Sequence, residues 1–284
     1  MALIFDGISY GLLLFVMAVG LSVTLGLMNF VNLAHGAFAM LGGYVTVVLV
    51  NQQGVPFLLC LPVAFVAAAL LGVVLEKTLY VHLYRRSHLD QVLFSIGLVF
   101  MAMAAADYFM GSRQQLIQLP DYLRGQFEVL GVQVGRYRLF IIAVCVVLTV
   151  LLQWVLARTR IGSQLRAAVD DAMAARGLGI EIGRLFTLTF AVGSGLAGLG
   201  GALGIEMMGL TPSFPIELMI YFLIVVVVGG TDNITGPFLA AIVLGIGDVL
   251  GKYYVPELGA FMIYLMMITI LAVAPQGLFG RRDA

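Results

Sequence analysis

Charge is what this chain has least of. Only 11% of its 284 residues are Asp, Glu, Lys or Arg, against 62% hydrophobic residues and a mean hydropathy of +1.07. A soluble domain carries about 25% charged residues, so soluble enzymes are excluded. A disordered scaffold, which needs low hydrophobicity, is excluded as well. Fifteen basic residues balance fifteen acidic ones, which leaves no basic footprint for a phosphate backbone and no nucleic acid among the expected partners. Histidine occurs three times and cysteine twice. Cys60 and Cys145 each fall inside an apolar run, with no spacing suited to a metal or a disulfide framework. They read as small buried hydrophobes, and no metal site is expected. A phosphate-binding loop is missing too: Gly251-Lys252 is followed by Tyr253 and lacks the upstream glycine. No basic residue precedes the first apolar stretch, which runs too far for a cleavable leader, so the first helix is expected in the mature protein.

What is present is apolar length. Runs occupy about 8–30, 34–50, 55–75, 92–110, 138–157, 185–207, 218–230, 238–251 and 259–276. A bilayer core needs about 20 apolar residues per helix, and backbone groups in lipid must pair within the segment. The expected fold is an all-α polytopic membrane protein, one domain over 1–284, with about eight or nine transmembrane or re-entrant helices. The runs at 34–50, 218–230 and 238–251 are the ones that either span or re-enter.

Positive charge sets the orientation. Lys77, Arg85 and Arg86, then Arg158, Arg160, Arg166, Arg176 and Arg184, then Arg281 and Arg282, account for ten of the fifteen basic residues. Placing the stretches 76–91 and 158–184 and the C-terminus in the cytoplasm leaves Arg113, Arg124, Arg136, Arg138 and Lys252 outside. The stretch 111–137 is then an external loop. The side of the N-terminus is not set by charge.

Two interruptions break the simple count. One is Asn29-Phe-Val-Asn32-Leu-Ala-His35-Gly36; the other runs from Gly229 through Asp232 and Asn233 to Pro237. Similar phrases follow: Asn32…Gly36-Ala-Phe38 and Asn233…Gly236-Pro-Phe238. Paired broken helices point to a midplane pathway in repeat-built transporters; the competing reading is a coincidence of loop residues. Asn29, Asn32, His35, Gly36, Asp232 and Asn233 are the candidate pathway residues. For His35 the alternative is an imidazole bonded to a nearby carbonyl. Small residues four apart (Gly193, Ala197, Gly201; Ser194, Gly198, Ala202; Gly247, Gly251) announce close helix packing. Asp248 and Lys252, one turn apart, are expected to pair. Asp107 is placed near Arg113, at the membrane interface.

Stretch 158–184 is the most informative. Ser163 is expected to cap a helix whose apolar positions are Leu165, Ala168, Val169, Ala172 and Met173, the spacing of one helical face. Arg166 and Asp170 lie on the other face, and Gly177 or Gly179 ends the helix. A face of Ala and Met binds lipid poorly and suits a groove on another protein; the alternative is a structural loop helix.

Residues Asn29 to Tyr44 resemble the N-terminal signature of the branched-chain amino acid ABC transporter permeases of the LivH type. Ala167 to Ile180 with Thr189-Phe190-x-x-Gly193 resembles that family's cytoplasmic coupling region. Gly229-Gly230-x-x-Asn233-x-x-Gly236-Pro237 and Ala274 to Gly280 resemble its C-terminal signatures. Ala174-Ala175-x-x-x-Gly179 fits the wider coupling-loop pattern, with Met173 where that pattern has Glu. Ala37 stands where many relatives have an acid.

The resemblance implies a non-catalytic pathway subunit, multi-pass in the bacterial cell (inner) membrane, for branched-chain or related amino acids. It also implies a second related permease, two cytoplasmic ATPases that bind the ATP, and a periplasmic or extracellular solute-binding protein. Leu165, Ala168, Val169, Ala172, Met173, Ala174, Ala175 and Gly179 would then meet an ATPase. The alternative function is an ion-coupled secondary transporter of small polar solutes, which would need an ionisable relay inside the bundle. The carboxylates here cluster at span ends instead. A membrane-embedded enzyme would need a nucleophile with its base, or a metal cluster, and scattered His and Cys provide neither.

Overall fold

The long apolar runs are helices, as backbone pairing in lipid requires. The computed structural model describes residues 1–28, 30–84, 86–129, 131–230 and 234–278. In chain order the elements are α1 (Ala2–Met28), α2 (His35–Val47) with a π-helical turn (Val48–Gln52), α3 (Phe57–Thr78) and α4 (His88–Met110). An antiparallel hairpin follows, β1 (Gln126–Val129) with β2 (Val132–Gly135), Gln126 opposite Gly135. Then come α5 (Arg136–Arg158), α6 (Arg160–Asp170), α7 (Ala172–Gly177), α8 (Ile182–Met208), α9 (Phe214–Gly229), α10 (Thr235–Tyr254) and α11 (Met262–Val273). The hairpin and an isolated antiparallel bridge between Gln115 and Leu210 are the departures from an all-α fold among the described residues. The hairpin's short strands carry no long alternating pattern that would reveal them in the sequence.

Among the described residues, seven segments are long and apolar enough to cross a membrane: α1, α3, α4, α5, α8, α10 and Pro256–Val273, which contains α11. With the shorter α2 and α9, of 13 and 16 residues, the bundle has the expected eight or nine apolar segments. The run 238–251 is the middle of a 20-residue helix, long enough to span. Its ends, Thr235 to Pro237 and Lys252 to Tyr254, are too polar to register as an apolar run.

The core sits on α1 and α8. In these two, 78% and 72% of the apolar window is buried, against 28% or less in α3, α4, α5 and Pro256–Val273. Small residues make the centre close-packed. Gly193 of α8 faces Gly20 of α1, Gly198 faces Ala68 of α3, and Gly201 faces Ala39 of α2. A Cβ on Gly42 would fall on the main chain of Gly198, so only glycine permits that crossing. Gly247 and Gly251 face Met266 and Met262 near the chain's end. α9 stops at Gly230, whose φ of +85° few other residues adopt.

The helix ends sort into two groups. At one end Asp6 accepts from Arg138 at 2.9 Å, the Tyr137 hydroxyl donates to the Leu203 carbonyl at 2.8 Å, and Asn51 donates to the Leu116 carbonyl at 2.9 Å. Lys252 stands 5.8 Å from the Tyr10 ring at this end. At the opposite end Thr187 of α8 donates to Glu76 of α3 at 2.8 Å, the Val31 amide to Gln91 at 3.3 Å, and the Leu278 amide to the Val228 carbonyl at 2.7 Å. Lys77, Arg86, Arg158, Arg160, Arg166, Arg176 and Arg184 gather at this second, basic end; Arg113, Arg124, Arg136, Arg138 and Lys252 lie at the hairpin end. Arg85, Arg281 and Arg282 are outside the described residues.

Candidate functional site

The amphipathic segment at the basic end begins earlier than the sequence suggests and is broken. Thr159, not Ser163, caps α6: its hydroxyl accepts from the Gly162 amide at 3.3 Å. The Ser163 hydroxyl instead donates to the Arg160 carbonyl at 2.8 Å. One helix does not run from 163 to 177, because Asp171 adopts an extended conformation (φ −154°) and caps α7. Its Oδ1 accepts from the Met173 and Ala174 amides at 2.8 and 2.9 Å. Those bonds satisfy two otherwise orphaned donors at the start of a short helix.

The restart at Asp171 divides the single face read from the periodicity. Leu165, Ala168 and Ala175 are buried, and Ala172 is half-buried. Val169, Met173, Ala174 and Gly179 are exposed, as is Leu178. The first three hold the segment on the bundle, and the exposed residues form its outer surface. Arg166, expected on a solvated face, donates to the Leu156 carbonyl and so satisfies one of the last acceptors of α5. Gly179, at φ +84°, turns the chain toward α8, and the Ile180 amide donates to the Ala175 carbonyl at 3.1 Å.

The break before α2 is a second cluster. Asn32 is fully buried; its Oδ1 accepts from the Ala34 amide at 3.1 Å and from the Tyr80 hydroxyl at 3.2 Å. The Nδ2 of Asn32 has no hydrogen-bond partner among the described residues. His35 is buried, with Nε2 2.9 Å from the Met17 carbonyl and the rings of Phe38 and Phe222 edge-on to it. This is the carbonyl-bonded alternative read for His35. Gly36 abuts the main chain of Pro215 at the start of α9, so the two short helices meet here. Gly36 and Gly236 are each the second residue of their helix, which gives the repeated phrase a shared structural place. Asn29, Asp232 and Asn233 lie outside the described residues.

Sequence reasoning missed the residue that lies between these clusters. Glu76 is 3% exposed; Oε1 accepts from the Tyr84 hydroxyl and Oε2 from the Thr187 hydroxyl, both at 2.8 Å. Burial, and then the Glu76 carboxylate, push the Tyr84 phenol well above its ordinary range and keep it a donor. The one signal was an acid beside Lys77 at the end of a long apolar run, a pattern that equally suits an interfacial charge. Asp107 is exposed in the last turn of α4, as an interface residue would be, and accepts from the Ser112 hydroxyl at 2.6 Å.

Residues 3–271 match the family model for the permease component of branched-chain amino acid transport systems. The chain belongs to that family. It is 27% identical to the probable branched-chain amino acid transport permease protein LivH of Methanocaldococcus jannaschii, over 96% of this chain and 90% of that one. It is 25% identical to the high-affinity branched-chain amino acid transport system permease protein LivH of Escherichia coli K12, over 98% and 95%. The LivM permease protein of the same E. coli system is also similar, at 26% over 93% of this chain and 67% of that one. No solved structure matches the chain. Membership in a permease family, with seven segments among the described residues long and apolar enough to cross a membrane, makes this a multi-pass transport protein and favours the ABC importer over an ion-coupled carrier.

Proposed function

We propose that this permease forms, with a second related permease, the pathway of an importer for branched-chain amino acids. Two cytoplasmic ATPases drive it, and an external solute-binding protein feeds it. The likeness to both LivH and LivM of one system supports the pairing. The basic end faces the cytoplasm of the cell membrane, which puts the hairpin and the N-terminus outside. The chain binds no nucleotide of its own.

The observation that carries this reading is the outer surface of α6 and α7. Met173 and Leu178 are 83% and 81% exposed, at the basic end of the bundle and outside the membrane-crossing segments. Large apolar side chains so placed mark a protein contact, and Val169 and Ala174 extend the same surface. Gly179 ends it. Leu165, Ala168, Ala172 and Ala175 support this surface from beneath. Asn32, His35 and Gly36, where α2 and α9 meet, border the pathway.

Reconstitution tests the whole proposal. In proteoliposomes the purified permease alone hydrolyses no ATP. With the second permease and the ATPases, hydrolysis appears and rises when leucine-loaded binding protein is added. Robust hydrolysis by this chain alone, or leucine uptake driven by an ion gradient without ATP, would overturn it.

A further inference from the structure

Nothing in the function just proposed uses the buried carboxylate of Glu76. A carboxylate taken out of water is costly unless its acceptors are filled, and ordinary helix packing needs none. Both oxygens here are filled, and from different pieces of chain: Thr187 belongs to α8, Tyr84 to the turn between α3 and α4. Deeper along the same pair of helices the contact is steric. Gly72 of α3 faces Ser194, and Ala68 faces Gly198, an interlocked seam with little freedom to slide. The side-chain hydrogen bond between the two helices, Thr187 to Glu76, is at the basic end of the seam.

The contacts run on in both directions. Thr187 lies near the start of α8, which follows α7 after four residues. α7 is tied to that start by buried Ala175 and by the bond from the Ile180 amide. Phe186, next to Thr187, meets the Tyr84 ring edge-on at 5.6 Å. In the other direction Tyr84 meets Phe30 at 5.7 Å, and Phe30 meets Tyr80 at 5.2 Å. The Tyr80 hydroxyl then donates to Asn32, three residues before α2.

We infer that Glu76 is a positioning residue for transport, the joint through which displacement of α6 and α7 reaches the break between α1 and α2. This rests on reading α6 and α7 as the surface that meets the ATPase. When that surface is pulled, α8 moves at Thr187, and the shared carboxylate obliges the Tyr84 turn, and with it the aromatic contacts to Asn32, to follow. A joint of this kind affects the amount of solute moved per ATP rather than hydrolysis itself.

The measurement is leucine uptake per ATP hydrolysed in proteoliposomes holding the full importer. Glu76→Gln retains the shape but accepts through one oxygen. Thr187→Val and Tyr84→Phe each remove one donor while leaving the carboxylate. In all three, binding-protein-stimulated hydrolysis is expected to stay within about twofold of wild type, while uptake per ATP falls about fivefold or more. The pair Glu76→Gln with Thr187→Val should be no worse than Glu76→Gln alone, because both break one joint. If Glu76→Gln fails to assemble, the two donor variants decide. An unchanged uptake-to-hydrolysis ratio in assembled variants overturns the inference, and so does a parallel fall in both activities. Failure of the underlying reading looks different: the wild-type chain would then show no partner-dependent hydrolysis at all.

Discussion

Lys252 and Asp248 form an ion pair of 2.5 Å one turn apart on α10, with very unequal burial: the aspartate side chain is 2% exposed and the lysine 47%. The lysine therefore reaches out to water while neutralising a carboxylate held inside, and the second carboxylate oxygen has no hydrogen-bond partner among the described residues. The two single substitutions should differ sharply. Lys252→Met strands the buried charge and should cost about 2 kcal/mol, below the range for a fully buried pair because the lysine is half in water. Asp248→Asn frees a cation that water already solvates and should cost less. The double variant should recover most of the loss. Thermal unfolding in detergent, followed by monodispersity, checks the order. Equal losses for the two single variants would contradict it.

The crossing of α2 over α8 gives a steric prediction. A Cβ on Gly42 or Gly201 would overlap main chain, that of Gly198 and Ala39 respectively, and main chain has no rotamer by which to retreat. Gly201→Val should cost several kcal/mol, as overpacking does when neighbours cannot move. It should leave little folded protein in a fluorescence-detected gel-filtration assay. Gly97→Val is the control. It sits on an apolar helix with open space around its Cβ and should yield near wild-type amounts.

Orientation is checked by labelling. Single cysteines at Gln126 on the hairpin and at Gln164 on α6, both exposed positions, should react from opposite faces of the membrane. The background lacks Cys60 and Cys145, both buried. An impermeant reagent added outside intact cells should reach Gln126→Cys alone. Labelling of both would refute the placement of the basic end.

Much of this architecture is legible in the residues, because lipid leaves few choices. An apolar run beyond about 18 residues can hardly be anything but a helix, and the four-residue spacing of Gly193, Ala197 and Gly201 marks the face of α8 that lies at the centre. The Asp248–Lys252 pair follows from spacing alone. Where the reading stopped short, the cause was tertiary. The periodicity of Leu165, Ala168 and Ala172 runs through Asp171 without a mark, because an aspartate is compatible with both a helix interior and a cap. Glu76, Tyr84 and Thr187 are far apart or unremarkable in sequence, and only the α3–α8 seam brings them together. The pathway residues were half accessible: His35 shows its carbonyl partner, whereas Asn29, Asp232 and Asn233 fall outside the described residues.

The division of the α6–α7 surface sharpens the test of coupling. Ala174 and Ala175 are neighbours, yet Ala174 is exposed and Ala175 is 2% exposed against the bundle. Ala174→Asp leaves the permease fold intact, since its carboxylate stands in water until a partner arrives. Docking would then bury an unpaired charge, at a cost of several kcal/mol. A loss of about 4 kcal/mol is roughly a thousandfold in association, so co-purification of the ATPase and uptake should both collapse while yield and melting temperature hold. Ala175→Glu should fail in the other way, lowering folded yield before any partner is involved. Arg166→Gln falls between them. It removes a charged donor from the Leu156 carbonyl, a loss of about 1 kcal/mol, and should loosen α6 without abolishing binding. If the ATPase co-purifies undiminished with the Ala174→Asp permease and uptake persists, the coupling surface lies elsewhere, and α7 serves only to turn the chain from α6 into α8.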